Sequence, residues 1–332
     1  MDTKRARRPA TTTEVARLAG VSRATVSHIL NGHDGKYSAA TEAKVRDAAA
    51  KLNYTPTVAR ILSKGHSDIV IILLPPATLG PPLQEALESI NDTARELGLN
   101  VLTWFAMGQE ETPLDVLRYL RPVAVIDLAD LSAQQREVIA ASNVPLIPSQ
   151  QWEQVQVSPD LHTLIGDAQV ELLEGRRVAY AHQTDPHEWS ALSLRRERAV
   201  RAACAGRKME APTVVELDLT LDNAAHVLSQ LSADSPLGFA CYNDEVATAL
   251  LAGARKLGLR VPEDVAVVGV DATPLGQLLD PPLTSVAIDS TSGVESILLE
   301  LRASVQGKTV TPTDTIHSIK VVEGGTTPQL KE

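Results

Sequence analysis

The sequence predicts an all-α N-terminal domain followed by an α/β body of two doubly wound parallel-sheet lobes. Three observations support this prediction. The net charge changes sign after about 65 residues, residues 12 to 52 show helical periodicity, and short apolar runs alternate with amphipathic segments from residue 68 onward. At 332 residues the chain is too long for one small core, so we expect more than one domain.

Composition narrows the class of protein. Hydrophobic residues make up 44% of the chain and charged residues 22%, which is ordinary for a globular protein. The only cysteines, Cys204 and Cys241, are too few for a disulfide framework or a four-thiolate zinc site. No stretch approaches the roughly 20 apolar residues of a transmembrane helix, and no apolar run follows the basic N-terminus. We therefore expect a cytoplasmic protein without membrane association.

The charge is divided unevenly along the chain. Residues 1 to 65 hold 12 Lys and Arg against 5 Asp and Glu, a net charge of +7. The remaining 267 residues hold 19 basic and 36 acidic residues, a net charge of -17. A basic head on an acidic body suits a head that neutralises phosphates and a body that does not touch nucleic acid.

The head reads as three short helices. Thr12 or Thr13 is predicted to cap the first, Gly20 supplies a tight turn, Ser22 caps the second, and the third begins near Ser38. The predicted apolar face comprises Val15, Ala16, Leu18, Ala19, Val26, Ile29, Leu30, Val45, Ala48, Ala49 and Leu52. Helix, glycine-containing turn and helix make a helix-turn-helix, whose second helix lies in the DNA major groove.

The second helix carries small and polar side chains that fit this role. Arg23 is expected to bond bidentately to guanine, Ala24 to touch a thymine methyl, and His28 to reach a base or a phosphate. Other polar residues are expected to anchor the DNA backbone, namely Ser22, Thr25, Ser27 and Asn31. The alternative is a helical hairpin that packs against protein.

The residues of the head also resemble a family. TTTEVARLAGVSRATVSHILNG followed by KYSAATEAKVRDAAAKLNYTP resembles the headpiece of the LacI/GalR bacterial transcriptional regulators. The resemblance implies a DNA-binding headpiece over residues 1–56, and Thr11, Lys36 and Tyr37 complete the predicted DNA-binding set. Many members of the family have arginine where this chain has His28, so an operator sequence cannot be transferred.

Residues 57–65 are predicted to form a hinge helix. Pro56 suits a helix start and Gly65 a helix end, but two turns are marginal alone in water. In the resembled family this hinge orders on operator DNA and a leucine wedges into the minor groove. The resemblance therefore implies Leu62 as the wedge and Arg60 as a flanking contact. The alternative is that Leu62 packs on the body.

The body, residues 66–332, alternates strands and helices. Amphipathic helices are predicted at 82–98 and 244–258, among others. Nine strands are predicted, at 68–76, 99–106, 123–129, 144–148, 177–181, 213–219, 237–243, 265–271 and 284–289. Such alternation predicts parallel sheets with helices on both faces, and ligands bind near the carboxyl ends of such strands, in the cleft between the two lobes.

The late stretch from CYNDEV to TSVAID resembles the effector lobe of the same regulators and of periplasmic sugar-binding proteins. The resemblance implies a periplasmic-binding-protein-like body that binds effector and dimerises. The N-lobe would span about 66–158 and 290–316, and the C-lobe about 159–289 and 317–326. It also implies Arg196, Asn243 and Asp271 as effector-binding residues, with a sugar or related metabolite as effector. Alternatively, Asn243 only caps the helix that follows it.

Two departures from the family pattern bear on the effector. Ser149 stands where many sugar-binding members have an acidic residue, and Ile288 stands where some relatives use glutamine. Aromatic residues make up only 3% of the chain, so a stacking platform for a sugar ring is not assured.

No catalytic motif, cofactor or metal site is expected. Gly-Lys-Thr at 307–309 lacks the first P-loop glycine because Arg302 stands there. His182, Asp185, His187 and Glu188 could bind a metal, but a polar loop is the favoured account.

The sequence thus predicts a repressor that binds pseudo-palindromic operator DNA as a homodimer, since the C-terminus lacks leucine heptads for a tetramer. The alternatives are a sugar-binding protein or a sugar-processing enzyme with the same body.

Overall fold

The computed structural model describes residues 10–30, 36–52, 54, 66–75, 80–105, 114–129, 131–149, 161–184, 191–231, 236–308, 310 and 318–329. These residues form two compact units. The first contains the described residues up to Asp68 together with Arg118–Pro122, and the second contains the rest. The domain boundaries that the sequence predicts remain predictions, because compactness alone does not show which residues bind DNA, an effector or a second subunit.

The first unit contains three helices, as the periodicity predicts: α1 (Thr12–Ala19), α2 (Arg23–Leu30) and α3 (Ala39–Lys51). Gly20 ends α1 with a left-handed φ of 69°, which glycine adopts without strain. The Ser22 hydroxyl accepts the Thr25 amide at 3.0 Å, and Ser38 caps α3 by accepting the Thr41 amide. The first contact confirms the predicted Ser22 cap, and the second shows that Ser38, near which the third helix was predicted to begin, is the N-cap of α3.

Two predictions about α1 are wrong. Its cap is Thr11, not Thr12 or Thr13, because only Thr11 forms the reciprocal capping box with Glu14. Leu18 is 52% exposed, since it lies on the side of α1 that faces away from α2 and α3. The buried core that joins the three helices consists of Val15, Ala16, Val26, Ile29, Val45, Ala48 and Ala49.

The second unit holds two sheets, and the nine predicted strands are all present. The first sheet has the order β2-β1-β3-β4 and is entirely parallel. It contains β1 (Ile69–Leu74), β2 (Asn100–Phe105), β3 (Ala124–Asp127) and β4 (Leu146–Ile147). The helices that follow its strands are α4 (Pro81–Glu96), α5 (Leu114–Leu120) and α6 (Ala133–Ala140), and the last three residues of α5 belong to the first unit.

The second sheet has six strands in the order β10-β9-β8-β7-β5-β6. Its strands are β5 (Arg177–Gln183), β6 (Thr213–Leu217), β7 (Leu237–Cys241), β8 (Val265–Val270), β9 (Thr284–Asp289) and β10 (Ser318–Val322). The accompanying helices are α7 (Leu161–Leu172), α8 (Ala191–Gly206), α9 (Leu221–Leu231), α10 (Asp244–Leu257), α11 (Pro274–Gln277) and α12 (Thr291–Val305).

One edge of the second sheet departs from the predicted parallel pairing. Strand β10 is absent from the predicted set and pairs antiparallel with β9, with Val321 opposite Val286. An edge strand needs only one hydrogen-bonding partner, so its short and half-polar sequence, SIKVV, does not resemble the buried runs of the other strands. The fold class, with a three-helix head and a two-sheet α/β body, is otherwise confirmed.

The chain passes between the two sheets more than once. Helix α12 follows β9 of the second sheet, yet its Leu301 is fully buried in the core of the first sheet with Ile72, Ile90 and Ile126. The carboxyl ends of strands from both sheets contribute to one cavity, which is described below.

Candidate functional site

The N-terminal end of α2 presents the side chains predicted to meet DNA. Ser22, Arg23 and Ala24 are exposed, whereas Val26 and Ile29 on the other face are fully buried. The hydroxyls of Ser22 and Thr25 are hydrogen-bonded to each other at 2.8 Å. Packing of the inner face thus fixes α2, and its small outer face is left accessible to a groove.

His28 and Tyr37, both predicted DNA contacts, lie against each other. The Nδ1 of His28 and the Tyr37 hydroxyl are 3.1 Å apart, and the two rings are tilted with centroids separated by 6.3 Å. Tyr37 precedes α3, so the contact joins the end of α2 to the third helix. Sequence reasoning treated the two residues as independent and missed this pair.

The structure describes only some of the remaining predicted DNA contacts. Thr11 donates its amide and hydroxyl to Glu14, so it has a structural role in capping α1. Lys36 is exposed beside Tyr37. Asn31, Arg60 and Leu62 lie outside the described residues. The DNA-binding role of the whole set remains a prediction.

A cavity of about 270 Å³ opens in the second unit, at the carboxyl ends of strands from both sheets. All three predicted effector residues, Arg196, Asn243 and Asp271, line it. The other lining residues are Pro75, Gly80, Pro82, Leu83, Ala86, Leu128, Leu161, Leu192, Tyr242, Ile288, Asp289, Ser290, Gly293, Val294 and Ile297. The role of Arg196, Asn243 and Asp271 in ligand binding stays a prediction. The location of the cavity at strand ends is typical of ligand sites in α/β proteins.

Arg196 is held in place by the loop that follows β7. Its Nη1 donates to the Tyr242 carbonyl, and its guanidinium lies over the Tyr242 ring, 4.8 Å from the centroid. Its Nη2 lies 3.9 Å from Asp271 Oδ1, which is an ion pair longer than a hydrogen bond. The side chain is nearly fully buried, so the charge is fixed in position.

Asn243 caps α10 and also lines the cavity. Its Oδ1 accepts the Val246 amide at 3.0 Å, as the alternative interpretation of this residue requires. The cap uses only the oxygen of the side-chain amide. The two functions are compatible, because Nδ2 can still donate to a ligand.

Asp271 follows β8 in a backbone conformation that is unusual for a non-glycine residue. Its φ is 94°, and Ala272 has a φ of 47°. The Asp271 amide donates to the Val286 carbonyl at 2.9 Å, and the Ala272 amide donates to the Ser285 hydroxyl at 3.0 Å. Contacts from β9 therefore hold the two strained residues.

Asp244, which sequence analysis passed over, fastens the same loop. Its carboxylate accepts the Thr273 amide at 2.6 Å, the Thr273 hydroxyl at 2.9 Å and the Ser285 hydroxyl at 2.6 Å. Burial raises the pKa of Asp244, although these hydrogen bonds and Arg196 lower it. Its signal in the sequence was its position, directly after the predicted strand that ends in Asn243.

Burial is also the main cause of a raised pKa at Asp271. The positive charge of Arg196 lowers that pKa, whereas Asp244 and Glu245 raise it. Gly80 at the start of α4 contributes to the burial, since a Cβ there would lie 2.7 Å from Asp271 Oδ2. Glycine at position 80 thus permits the first sheet's side of the cavity to approach this carboxylate.

The two departures from the family pattern have different positions. Ile288 lines the cavity, near the end of β9. Ser149 lies in a second pocket of about 670 Å³, where its amide donates to Glu300 of α12 at 3.0 Å. Burial raises the pKa of Glu300 to about 7, although hydrogen bonds from Ser149 lower it.

Among the residues described, no group of three or more His, Cys, Asp or Glu is placed to hold a metal ion. His182 is buried, stacks on Tyr180 and contacts the Gln183 carbonyl through Nδ1, and Asp185, His187 and Glu188 lie outside the described ranges. The helices within the described ranges are all too short or too polar to cross a membrane.

Comparison with known families gives two matches. Residues 11–62 match the family described as bacterial regulatory proteins, lacI family. Residues 173–327 match the periplasmic binding protein-like domain.

Curated relatives cover most of the chain. The HTH-type transcriptional repressor PurR of Photobacterium profundum is 29% identical over 297 residues, which is 83% of this chain and 86% of the relative. The HTH-type transcriptional repressor CytR of Escherichia coli (strain K12) is 26% identical over 342 residues, covering 99% of this chain and 100% of the relative.

Solved structures with a similar fold include a lac repressor dimer bound to operator and the anti-inducer ONPF, with 22% identity, a TM-score of 0.66 and coverage of 96% and 99%. A LacI-family regulator from Silicibacter pomeroyi gives 21% identity and a TM-score of 0.72 over 96% of this chain and 99% of that one. A CelR–cellobiose complex gives 23% identity and a TM-score of 0.60, again over 96% and 99%.

Proposed function

The chain belongs to the lacI family of bacterial regulatory proteins, and from that premise we propose how its residues carry out the work of a repressor. Residues 1–56 bind a half-site of operator DNA, and 66–332 bind a small-molecule effector and dimerise. The observation that carries the proposal is the pairing of an exposed, polar α2 in one unit with a cavity at strand ends in the other.

On the DNA side, Arg23 would donate bidentately to a guanine, and Ala24 would contact a thymine methyl. The residues predicted to anchor the DNA backbone would fix the register of α2 on the duplex without specifying a base sequence; they are Ser22, Thr25, Ser27 and Asn31. A homodimer would place two such helices on a pseudo-palindromic operator, because the symmetry of the site mirrors that of the protein.

On the effector side, the ligand would contact Arg196, Asn243 and Asp271. Because the cavity is lined from both sheets, a ligand there favours the arrangement of the sheets that closes on it. That arrangement would change the spacing of the hinge segments 57–65 in the dimer, and so the stability of their helices on DNA. Effector binding and DNA binding would then be linked by one coupling free energy.

We also propose that the chain has no catalytic activity and acts in the cytoplasm, where its DNA is. The described groups at the cavity support the first point: Arg196 is engaged by Tyr242, and the lining residues that the structure describes include no histidine, lysine or cysteine. An enzyme would need a base within reach of an activated group.

The test is a selection of binding sites from random double-stranded DNA with the full chain, followed by affinity measurements at several salt concentrations. We expect a palindromic consensus whose affinity falls with salt. Arg23→Ala should lower affinity for the consensus by about 5- to 150-fold, the loss of a bidentate contact of about 1–3 kcal/mol.

Arg95→Ala is the matched control, since Arg95 is an exposed arginine of the second unit that forms an ion pair with Asp92 on its own helix. It should leave DNA affinity unchanged. A selection that yields no consensus, or an Arg23→Ala variant that binds the consensus like the wild type, would contradict the assignment.

A further inference from the structure

Gly80 and Asp271 meet at the cavity from different halves of the second unit: the first half holds the first sheet, and the second half holds the second sheet. Gly80 is the N-cap of α4, which packs in the core of the first sheet. Asp271 follows β8 of the second sheet. A Cβ at position 80 would lie 2.7 Å from Asp271 Oδ2, 2.9 Å from its Cγ and 3.3 Å from its Cβ. In this arrangement the two halves leave no room for a side chain at position 80.

The backbone at position 80 does not itself call for glycine. Its φ of -66° and ψ of 165° lie in the extended region, which residues with side chains adopt readily. An alanine or valine at position 80 would therefore be unstrained in its own backbone. Its effect would come from the atoms of Asp271 that it meets across the cavity.

The backbone around Asp271 is held by hydrogen bonds within the second half. The Asp271 amide donates to the Val286 carbonyl at 2.9 Å, and the Thr273 amide donates to the Asp244 carboxylate at 2.6 Å. Asp244 also accepts the Ser285 hydroxyl at 2.6 Å. These bonds fix the position of the Asp271 Cβ, so this residue cannot retreat from position 80 without breaking them.

The Asp271 side chain is also favoured where it lies. Arg196 Nη2 is 3.9 Å from Asp271 Oδ1, and the guanidinium is itself held by the carbonyl and the ring of Tyr242. The N-terminal end of α4 carries the partial positive charge of the helix dipole and attracts the same carboxylate. Rotation of the carboxylate away from position 80 would weaken both interactions.

The start of α4 is constrained in a similar way. The Gly80 carbonyl accepts the amides of Leu83 and Gln84 at 3.1 Å each. Pro81 and Pro82 fix φ in the first two positions of the helix. Because both sides of the contact are fixed within their own halves, pressure between them moves one half relative to the other.

We propose that Gly80 sets how far the two halves of the second unit close, and thereby the operator affinity of the chain. A side chain at position 80 presses on Asp271 and separates the first half from the second. An effector in the cavity is proposed to control this same movement, so a substitution at position 80 changes operator affinity without any effector. The effect on operator affinity rests on the proposed function, whereas the effect on closure does not.

Four substitutions test the contact. Gly80→Val is the main variant, because valine is stiff at χ1 and cannot easily turn both γ carbons away. Gly80→Ala is a smaller step in the same direction. Gly206→Val is the matched control, since Gly206 is exposed at the end of α8 and a Cβ there meets nothing within 4 Å. Asp271→Gly removes the opposing side chain and suits the φ of 94° at that position.

Closure is measured as the distance between spin labels at Glu137→Cys in α6 and Ala202→Cys in α8, by electron–electron double resonance. Both positions are exposed, and the native Cys204 and Cys241 are buried. The labelled chain is mixed with an excess of unlabelled chain, so that distances within one chain dominate in a dimer.

Gly80→Val should shift the label distance by roughly 2 Å, because non-bonded carbon atoms prefer about 3.5–4.0 Å and the Cβ alone would lie 2.9 Å from Asp271 Cγ. Gly80→Ala should give a smaller shift of the same sign, and Gly206→Val should give none. In a chain that carries Asp271→Gly, Gly80→Val should no longer shift the distance. The double variant also controls for any effect of valine on the α4 cap, which would persist in both backgrounds.

Operator affinity is measured without effector on the DNA consensus that the site selection yields. Gly80→Val should change it by about fivefold or more, in the range of ordinary coupling between two sites. Gly80→Ala should change it less and in the same direction, and Gly206→Val should leave it unchanged. The change caused by Gly80→Val should disappear in the Asp271→Gly background.

An unchanged label distance in Gly80→Val would overturn the proposal, and so would a shift that persists in full when residue 271 is glycine. A shifted distance with unchanged operator affinity would overturn the link between closure and DNA binding. If Gly80→Val does not fold, Gly80→Ala decides by the same two measurements. A wild-type chain that selects no DNA consensus would refute the proposed function, while the label distances would still decide the role of Gly80 in closure.

Discussion

Asp271 illustrates how a single residue depends on its neighbours at this site. Its carboxylate reaches the cavity from a left-handed backbone conformation, which costs on the order of 1–3 kcal/mol for a non-glycine residue. Asp244 and Ser285 offset that cost by bonding the two residues that follow Asp271. The buried Asp244 is thus a positioning residue that the cavity requires although it does not line it.

Glu300 allows a prediction about pH at the residue scale. Its pKa in the folded protein is about 7, above the ordinary value of 4.5, because the side chain is buried. A raised carboxyl pKa means that folding favours the protonated form. The contribution of Glu300 to stability is therefore fully present below about pH 4.5 and is lost as pH rises through about 7.

Glu300→Gln should remove this loss, since a glutamine stays neutral and can still accept the Ser149 amide. Relative to the wild type, the variant should become more stable between about pH 5 and pH 8, by on the order of 1–2 kcal/mol after solvent screening. Melting temperatures measured across this range test the prediction. Glu295→Gln is the control, because Glu295 is exposed in the same helix, and its stability should follow that of the wild type at every pH. If the stability of Glu300→Gln falls with pH as that of the wild type does, the raised pKa of Glu300 is refuted.

At the scale of elements, the helices of the head are fixed by their ends more than by their length. Helices α1 and α2 have eight residues each, which is too short for stability in isolation. The capping box of Thr11 and Glu14, the left-handed Gly20 and the Ser22 cap define where these helices begin and end. Tyr54 then ties the start of α1 to the segment after α3, with its hydroxyl 2.7 Å from the Thr12 hydroxyl.

Loss of the α1 cap should loosen that helix. Thr11→Ala removes the hydroxyl that accepts the Glu14 amide, at an expected cost of about 1 kcal/mol. Amide hydrogen exchange in residues 12–19 should accelerate correspondingly, as measured by mass spectrometry on the full chain.

Thr13→Ala is the matched control, because Thr13 is exposed and makes no capping contact. It should leave exchange in α1 nearly unchanged. If the two variants accelerate exchange equally, Thr11 is not the cap that determines the stability of α1.

At the scale of the whole molecule, the charge asymmetry and the two compact units support the proposed division between DNA binding and effector binding. The proposed link between them is the hinge segment 57–65, which lies outside the described residues. Leu62 remains the predicted wedge there.

Leu62→Ala should weaken binding to the selected operator far more than binding to random DNA, because a wedge acts only where the duplex kinks. Affinities for both DNAs at one salt concentration test this. Leu257→Ala serves as a control for removal of an exposed leucine from the second unit and should change neither affinity. Equal losses on operator and random DNA would show that Leu62 is not a wedge.

Much of the fold could be predicted from local patterns. Nine strands and the three head helices have the predicted type and approximate position, because buried runs and helical periodicity are properties of short segments. Strand β10 escaped prediction because an edge strand needs little apolar sequence. Leu18 was misplaced because periodicity does not distinguish the two margins of an apolar face.

The candidate site was only partly predictable. Arg196, Asn243 and Asp271 were found through family resemblance, and they lie together on one cavity, although their role in binding is still a prediction. The pairing of His28 with Tyr37, the support from Asp244 and the close approach of Gly80 were not found. Each is a contact between segments whose separation in sequence carries no periodic signal.

By itself, the sequence determined the three head helices, nine of the strands, the cap at Ser22, the start of the third helix near Ser38, the basic head and the acidic body. It could do so because each depends on neighbouring residues or on simple sums of charge. Only the tertiary structure decided which of the described side chains share the cavity. The reason is physical: an apolar residue such as Leu83 has the same pattern whether it packs in a core or lines a ligand site, and only the folded chain determines which surface it faces.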